Sequence, residues 1–255
     1  MASRAYRLTE MTWEDVAHRL ENSNPVVLLP VGSTEQHGRH LPLGTDTFVA
    51  IDLVEEAAPR TGALVAPPMW CGMSPHHMML PGTITIRPEI LLEYLYDVIA
   101  SLAAHGFTSF VIVNGHRVAN IPWLQLVAER VHRTLEETQV AVFDPAWMSR
   151  EIDLGLGEMG HGEEIETSHM LAALPELTRM ERAEDNPPDP SDLYHPDPGS
   201  RRDTLCFVPS PLEQARRTAE KAGGVTGSPT LADAKKGRKY REHLVRRLVQ
   251  VIESM

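Results

Sequence analysis

The stretch Val26-Val-Leu-Leu-Pro-Val31 is a short, continuous apolar run, and it decides the fold class. Such a run is typical of a strand buried on both faces, as in a parallel sheet with helices on either side. Three further runs predict strands of the same kind, namely Ala63–Ala66, Phe110–Val113 and Val140–Phe143. We therefore expect an α/β fold with a mainly parallel sheet.

Segments with apolar residues at helical spacing alternate with these strands. They are Thr12–Leu20, with Thr12 as its N-cap, Thr47–Ala58, Pro88–Ala104, Ile121–Glu137 and Leu231–Ile252. The alternation predicts one domain over residues 1–255. A stretch rich in Pro, Asp and Ser at about 184–202 is expected to be irregular, and it either closes over a pocket or docks on a neighbouring subunit.

Composition excludes several classes of function. The chain has 255 residues with 24 Lys and Arg against 35 Asp and Glu, and its net charge of −11 disfavours nucleic-acid binding. No apolar stretch approaches the roughly 20 residues of a membrane span, and the N-terminus has no signal-peptide pattern, so we expect a cytoplasmic protein. Cys71 and Cys206 form no CxxC pattern. Histidines and carboxylates would therefore have to hold any metal.

The first candidate site follows directly on the first strand. Glu35 and His37 are two residues apart and point to the same side of an extended backbone. Asp46 follows after a Gly- and Pro-containing loop that can fold back toward the pair. This set of nitrogen and oxygen ligands suits zinc or manganese. An ordinary surface pair is the alternative interpretation of Glu35 and His37.

A second candidate lies where Phe110-Val-Ile-Val-Asn-Gly-His116 leaves its strand. The carboxyl ends of parallel strands share one edge of the sheet, so His116 is expected beside Glu35 and His37. A helix-capping Asn114 followed by a loop histidine is the alternative.

A third candidate begins with His161 and continues into a helical pattern. Glu166 lies three residues from both Glu163 and His169, so these residues share one helical face. Glu163 and Glu164 are interpreted as acids that offset the helix macrodipole, whereas Glu166 lies deeper in the helix and is a site candidate.

The Gly- and Pro-rich loop from Cys71 to Thr83 carries His76 and His77. These could be ligands, substrate donors or ordinary loop residues. Ser74 and His77 are predicted to line the wall of a pocket.

The combined motifs resemble the creatininase family of metal-dependent amidohydrolases, from about Thr12 to Thr178. They are Gly32-Ser-Thr-Glu-Gln-His-Gly38, Leu41-Pro-Leu43 with Thr45-Asp-Thr47, Pro81-Gly-Thr83, Asn114-Gly-His116 and Glu166-Thr-Ser168. The resemblance implies a three-layer α/β/α fold, assembly often as a homohexamer, and a centre of two Zn²⁺ or Mn²⁺ ions.

The resemblance also implies a set of metal ligands. Glu35 and His116 would bind one metal, His37 would bind the other, and Asp46 would bridge both. Creatininase proper has a glutamate two residues after the Asn-Gly-His histidine, where this chain has Val118. In other branches the Glu-Thr-Ser glutamate replaces that ligand, so Glu166 is the expected fifth ligand.

Other departures from creatininase proper concern the substrate. The family enzyme has a tyrosine beside the Asn-Gly-His histidine and a Trp-Asp pair farther on, and this chain instead has Arg117 and Gly157-Glu-Met-Gly160. Creatinine is therefore not the expected substrate. Arg117 suits a substrate with anionic or oxygen-rich groups, or it pairs with a nearby carboxylate.

The leading functional hypothesis is hydrolysis of a small, polar, cyclic amide by water that two metals activate. His161 would pass the proton to the leaving atom. The resemblance also allows a deformylase, a peptidase-like protein of mycofactocin maturation, or a hydrolase that opens an oxidised cyclitol such as 3-dehydro-scyllo-inosose at a C–C bond. A metal-free, non-catalytic binding protein is the alternative from another class.

Overall fold

The computed structural model describes residues 6–117, 119–148, 151–155, 160–187, 194–195, 206–207 and 212–255. Within these ranges, no helix has the length and apolar character needed to cross a bilayer. The stretch expected to be irregular, 184–202, lies mostly outside the described residues. Inside it, Tyr194–His195 forms a short strand that pairs in parallel with Cys206–Phe207.

The main sheet consists of four parallel strands. They are β1 (Val27–Val31), β2 (Leu64–Val65), β3 (Ser109–Asn114) and β4 (Gln139–Phe143). Their order in the sheet is β2-β1-β3-β4. Val31 is the register partner of Asn114, so the two central strands end level with each other. The short strands described above are β5 and β6.

The helices in the described ranges are of very different lengths. They are α1 (Trp13–Ser23), α2 (Thr45–Thr61), α3 (Pro88–Ala104), α4 (Ile121–Thr134), α5 (Pro145–Met148), α6 (Glu164–Ala173), α7 (Leu212–Ala222) and α8 (Ala234–Glu253). The described residues also form single 3₁₀ turns, one before α1 at Leu8–Glu10 and the others at Pro75–His77, Pro175–Leu177, Met180–Arg182 and Pro229–Leu231.

Alternate side chains of the central strands enter two separate cores. Leu28 and Val111 pack with residues of α2, α6 and α8. Val27 and Phe110 point to the opposite face and pack with residues of α3 and α4. Strand side chains alternate between faces, so a sheet with apolar residues at successive positions requires cover on both sides. This arrangement confirms the predicted three-layer α/β/α fold.

The predicted elements exist, and their ends differ for local reasons. The predicted helix from Ile121 stops at Thr134, because Leu135 has an extended backbone with φ −116° and ψ 104°. The last helix begins at Ala234, because the Asp233 side chain accepts a hydrogen bond from the Lys236 amide and caps it. Helix α7 was not predicted from the sequence.

The topology creates a crevice at the carboxyl ends of β1 and β3. The chain leaves β1 for α2 on one face of the sheet, and it leaves β3 for α4 on the opposite face. Where neighbouring strands send their helices to opposite faces, the two connecting loops diverge and leave room for a ligand. The loops that carry the first two predicted site motifs start at this crevice.

The Asp52 carboxylate links helices α2, α6 and α8, which pack on the same face of the sheet. Asp52 of α2 accepts a hydrogen bond from His169 Nε2 of α6 at 3.1 Å, and from Arg241 Nε and Nη2 of α8 at 2.6 and 2.7 Å. Burial alone would raise the pKa of Asp52, but the hydrogen bonds from His169 and Arg241 outweigh it and lower that pKa. The network fixes α2 and α6 relative to each other.

We expect Asp52→Asn to lower the free energy of unfolding by about 2 kcal/mol at pH 7, because hydrogen bonds to a charged group become bonds to a neutral one. The folded-state pKa of Asp52 lies below its ordinary value of 3.8, so the wild-type advantage exists above about pH 4 and is lost as the pH falls further. Urea unfolding at several pH values measures both effects. Glu136→Gln, at an exposed position, is the control, and equal losses in the two variants would contradict the prediction.

Candidate metal centre

A close approach between β3 and α2 brings the first two motifs together. A Cβ atom added to Gly115 would lie 1.8 Å from the carbonyl oxygen of Asp46. Only glycine permits this contact, so the Gly of the Asn-Gly-His motif is required by packing. The contact places Asp46, in the first turn of α2, directly beside His116.

Asp46 lies between two imidazoles. Its Oδ1 atom is 3.0 Å from His37 Nε2, and its Oδ2 atom is 3.1 Å from His116 Nδ1. All three side chains are buried. One carboxylate that faces two imidazoles through different oxygens has the geometry of a bridging ligand.

Glu35 faces His116 from the other side, together with two further imidazoles. Its Oε2 atom is 3.3 Å from His116 Nε2, and its Oε1 atom is 3.4 Å from His77 Nε2 and 3.5 Å from His161 Nδ1. The Glu35 side chain is completely buried. Burial raises the pKa of Glu35 above its ordinary range, although the charge of His116 opposes that shift.

Glu166, in the first turn of α6, approaches the centre from the opposite side. Its Oε2 atom is 3.8 Å from His37 Nε2 and accepts a hydrogen bond of 2.7 Å from the Gly162 amide. The helix that carries Glu166 thus extends the cluster to residues more than 100 positions from the first motif.

The backbone fixes which nitrogen of His37 is free to bind a cation. His37 Nδ1 lies 3.1 Å from the Glu35 carbonyl oxygen, which only accepts hydrogen bonds, so Nδ1 carries a proton. The neutral ring then presents its lone pair at Nε2, toward Asp46 and Glu166. A histidine ligand commonly has its second nitrogen held by a carbonyl in this way.

The electrostatics of the cluster favour added positive charge. Burial would lower the pKa of His37 and His116, yet Asp46 and Glu35 outweigh it and raise these values to about 10 and about 9. The pKa of Asp46 falls well below its ordinary range, because the charges of both histidines exceed the effect of its burial. The buried carboxylates therefore hold protons on imidazoles where no other cation is present.

Unpaired atoms show that the residues fit a metal. Glu35 Oε1, Glu35 Oε2 and Asp46 Oδ2 are buried, and none of them accepts a well-oriented hydrogen bond, since their neighbouring ring nitrogens lie 3.1 to 3.5 Å away. Buried carboxylate oxygens without a donor are costly, and a cation satisfies them. Three sets of side chains have ligand atoms within 4.8 Å of one another: Glu35, Asp46 and His116; His37, His161 and Glu166; and Glu35, His77 and His161.

The centre opens toward solvent on the side of His77 and His161. Their side chains are 11% and 15% exposed, whereas those of Glu35 and His37 are 0% exposed. Burial and the neighbouring charge of His37 lower the pKa of His161 to about 3. A substrate would therefore meet neutral imidazoles before it reaches the carboxylates.

Arg117 is bound to two carboxylates. Its Nη2 atom lies 3.0 and 3.1 Å from the two oxygens of Glu163 and 2.6 Å from Glu166 Oε1. Its Nε and Nη1 atoms are buried without a partner. This geometry favours the interpretation in which Arg117 pairs with carboxylates of the protein. It also gives Glu163 a role that the macrodipole interpretation did not predict.

Ser74 lies deeper than the predicted pocket wall. It is fully buried, its hydroxyl is 2.6 Å from that of Ser33, and it reaches His116 Nε2 at 3.5 Å. Its position favours a role in supporting His116. His77, by contrast, lies at the open side, where the sequence predicts it.

Comparison with known proteins identifies the family. A family model described as creatinine amidohydrolase matches residues 9–252. The chain belongs to the creatininase family. A creatininase-family relative from Thermotoga maritima, described as 3-dehydro-scyllo-inosose hydrolase, is 33% identical over 190 residues, which are 70% of this chain and 59% of that protein. The chain thus spans less than two thirds of that relative.

Two further members match over most of their length. The creatinine amidohydrolase of Pseudomonas putida is 29% identical over 246 residues, which cover 87% of this chain and 91% of that protein. A crystal structure of creatininase superposes with a TM-score of 0.80 at 26% identity, over 99% of this chain and 98% of that one. Solved creatininase forms include a Zn–Zn type and an Mn form. The chain is accordingly a member of a hydrolase family, and its clustered carboxylates and imidazoles have ligand atoms close enough together to hold a metal ion.

We expect Arg117→Met to destabilise the metal-free protein by about 3–5 kcal/mol, because Glu163 and Glu166 then remain buried without their cation. The double variant Arg117→Met with Glu163→Gln is expected to recover part of this loss, since one of the two charges is removed. Denaturant unfolding in the presence of a chelator measures these differences.

The control for this prediction is Arg130→Met, which breaks a surface pair with Glu93. Pairs of that kind contribute about 0.5 kcal/mol. A double variant less stable than Arg117→Met alone would show that the uncompensated charges of Glu163 and Glu166 are not the cause of the loss.

Proposed function

We propose that this chain hydrolyses the C–N bond of a small, polar, cyclic amide at a two-metal centre. The observation that carries the proposal is the Asp46 carboxylate, which faces His37 and His116 through separate oxygens within a cluster of unpaired carboxylate oxygens. Glu35 and His116 would hold one ion, His37 and Glu166 the other, and Asp46 would bridge them.

When bound, two Zn²⁺ or Mn²⁺ ions would lower the pKa of a water molecule and stabilise the oxygen that becomes negative in the transition state. In the hydrolysis, the water oxygen bonds to the carbonyl carbon, the C–N bond breaks, and one proton of the water ends on the nitrogen. His161 is placed to carry that proton, because its Nδ1 atom faces Glu35 at the open side of the centre.

The surroundings of Arg117 limit the choice of substrate. With Nη2 occupied by Glu163 and Glu166, only Nε and Nη1 remain for a substrate oxygen. We propose that Arg117 pairs with Glu163 and Glu166 through Nη2 and contacts the substrate through Nε or Nη1. An oxygen-rich, neutral or singly charged molecule fits this environment better than a guanidine-like ring, which would bring a second cation.

A second candidate keeps the same metal centre and changes the bond. The Thermotoga maritima relative is described as 3-dehydro-scyllo-inosose hydrolase, and its identity of 33% over 190 residues favours a cyclitol ketone as the alternative substrate class. In that reaction, the water oxygen would bond to the ring carbonyl carbon, the adjacent C–C bond would break, and a proton from the water would end on the released carbon.

We also predict that this chain assembles as a homohexamer. Light scattering of the purified protein tests this prediction.

We expect Asp46→Asn to reduce the bound metal from about two ions per chain to less than one, because both proposed sites lose a ligand. Glu166→Gln should affect a single site. Elemental analysis after extensive dialysis measures the content, and circular dichroism shows that the variants fold. Asp97→Asn, at an exposed position on α3, is the matched control. Full metal content in Asp46→Asn would exclude its bridging role.

A substrate screen separates the two candidates. Cyclic amides, formamides, short peptides and ketocyclitols are incubated with the Zn²⁺- and Mn²⁺-loaded protein, and products are followed by mass spectrometry. Cyclic amides are expected to gain the mass of one water through C–N cleavage. Turnover of ketocyclitols alone would overturn the amide proposal and support the second candidate.

A further inference from the structure

Gln36 contacts both histidines at the open side of the centre, through different groups. Its side-chain amide reaches His77, and its backbone carbonyl accepts a hydrogen bond from His161 Nε2. We propose that Gln36 is a positioning residue that fixes the tautomers of these two rings, so that His77 donates and His161 accepts a hydrogen bond. The use of this pair in catalysis rests on the function proposed above.

Two backbone groups fix the orientation of the Gln36 amide. The Gly38 amide donates to Gln36 Oε1 at 3.0 Å, and Gln36 Nε2 donates to the Gly224 carbonyl at 3.2 Å. If the amide were rotated by 180°, its NH₂ group would face the Gly38 N–H, and its oxygen would face the Gly224 carbonyl oxygen. The oxygen and nitrogen of this side chain are therefore assigned by their partners.

The orientation of the amide determines where His77 carries its proton. Gln36 Nε2 lies 2.8 Å from His77 Nδ1. An amide NH₂ group only donates, so Nδ1 must present a lone pair and the proton sits on Nε2. That N–H lies 3.4 Å from Glu35 Oε1, on the side from which a substrate would enter.

His161 receives the opposite polarity from the same residue. The Gln36 carbonyl oxygen only accepts, so His161 Nε2 carries a proton, and the neutral ring presents its lone pair at Nδ1. The rings of His77 and His161 stack with centroids 3.8 Å apart and planes inclined by 22°. One N–H donor and one lone pair thus reach the same space beside Glu35 Oε1.

A donor beside an acceptor selects a class of substrate group. The matching group has a carbonyl oxygen next to an N–H or O–H, as in the cis amide of a ring or in an α-hydroxy ketone. His77 Nε2 would donate a hydrogen bond to the carbonyl oxygen, and His161 Nδ1 would accept a hydrogen bond from the neighbouring N–H or O–H. Simple esters and tertiary amides lack the second half of this pattern, so the pair is expected to discriminate against them.

A glycine far along the chain makes room for the Gln36 amide. Gly224 has φ +93°, and a Cβ atom at this position would lie 2.2 Å from Gln36 Oε1. The two residues are separated by 188 positions. The side chain of Gln36 is itself almost fully buried. A buried amide held at both ends by the backbone is a rigid reference for the two rings.

The test is the tautomeric state of His77 in Gln36→Glu. A carboxylate accepts where the amide NH₂ donated, so His77 should move its proton to Nδ1, while His161 keeps its tautomer because its partner is the backbone. Long-range ¹H–¹⁵N spectra of the Zn²⁺-loaded protein, labelled at histidine, distinguish protonated from unprotonated ring nitrogens. His77→Gln and His161→Gln identify the signals.

Gln36→Met is the matched variant that removes the donor without adding charge, and it should give His77 a mixture of tautomers. The inference is overturned if wild-type His77 carries its proton on Nδ1, or if its ¹⁵N pattern is the same in all three proteins. On a substrate found in the screen, kcat should fall about 100-fold in Gln36→Glu, with metal content unchanged. The spectra require no substrate. They therefore test the tautomers of His77 and His161 even if the proposed function is wrong.

Discussion

The contact between Gly115 and the backbone of Asp46 is the constraint on which the site depends. It lets the end of β3 touch the start of α2, and it therefore sets one carboxylate between His37 and His116. The remaining carboxylates follow from this placement, because the buried negative charge of Asp46 and Glu35 can persist only where imidazoles, an arginine or metal ions balance it. The alternative, a well-packed apolar crevice, would be more stable and chemically inert.

Much of the fold and part of the site could be predicted because their signals are local. The apolar runs of β1 and β3 show their burial directly, and the residues that follow these strands meet at one edge of the sheet because parallel strands end together. Glu35, His37 and His116 could be expected at that edge for this reason. The roles of these residues as ligands, and that of Glu166, stay predictions that rest on the distances between their side chains.

The parts that could not be predicted depend on contacts between distant segments. Glu163 looked like an ordinary acid at a helix start, and only the position of Arg117 after β3 shows that it holds a buried ion pair. Gln36 could not be singled out from the sequence, because its partner Gly224 lies 188 positions away. Helix α7 was missed because the apolar residues at helical spacing in its sequence are one leucine and three small alanines.

The Asp52 network has a consequence for how the protein assembles. It joins Asp52 of α2 to Arg241 of α8, which are 189 positions apart in the sequence. These helices therefore reach their final packing only after two distant segments of the chain have met. Contacts of such long range form slowly, because the loops between them must close first. The strands can pair before this, but Glu166 comes close to His37 only once α6 is held in place. Uptake of metal during refolding would therefore report the last stage of assembly, and partly folded chains would not retain the ion.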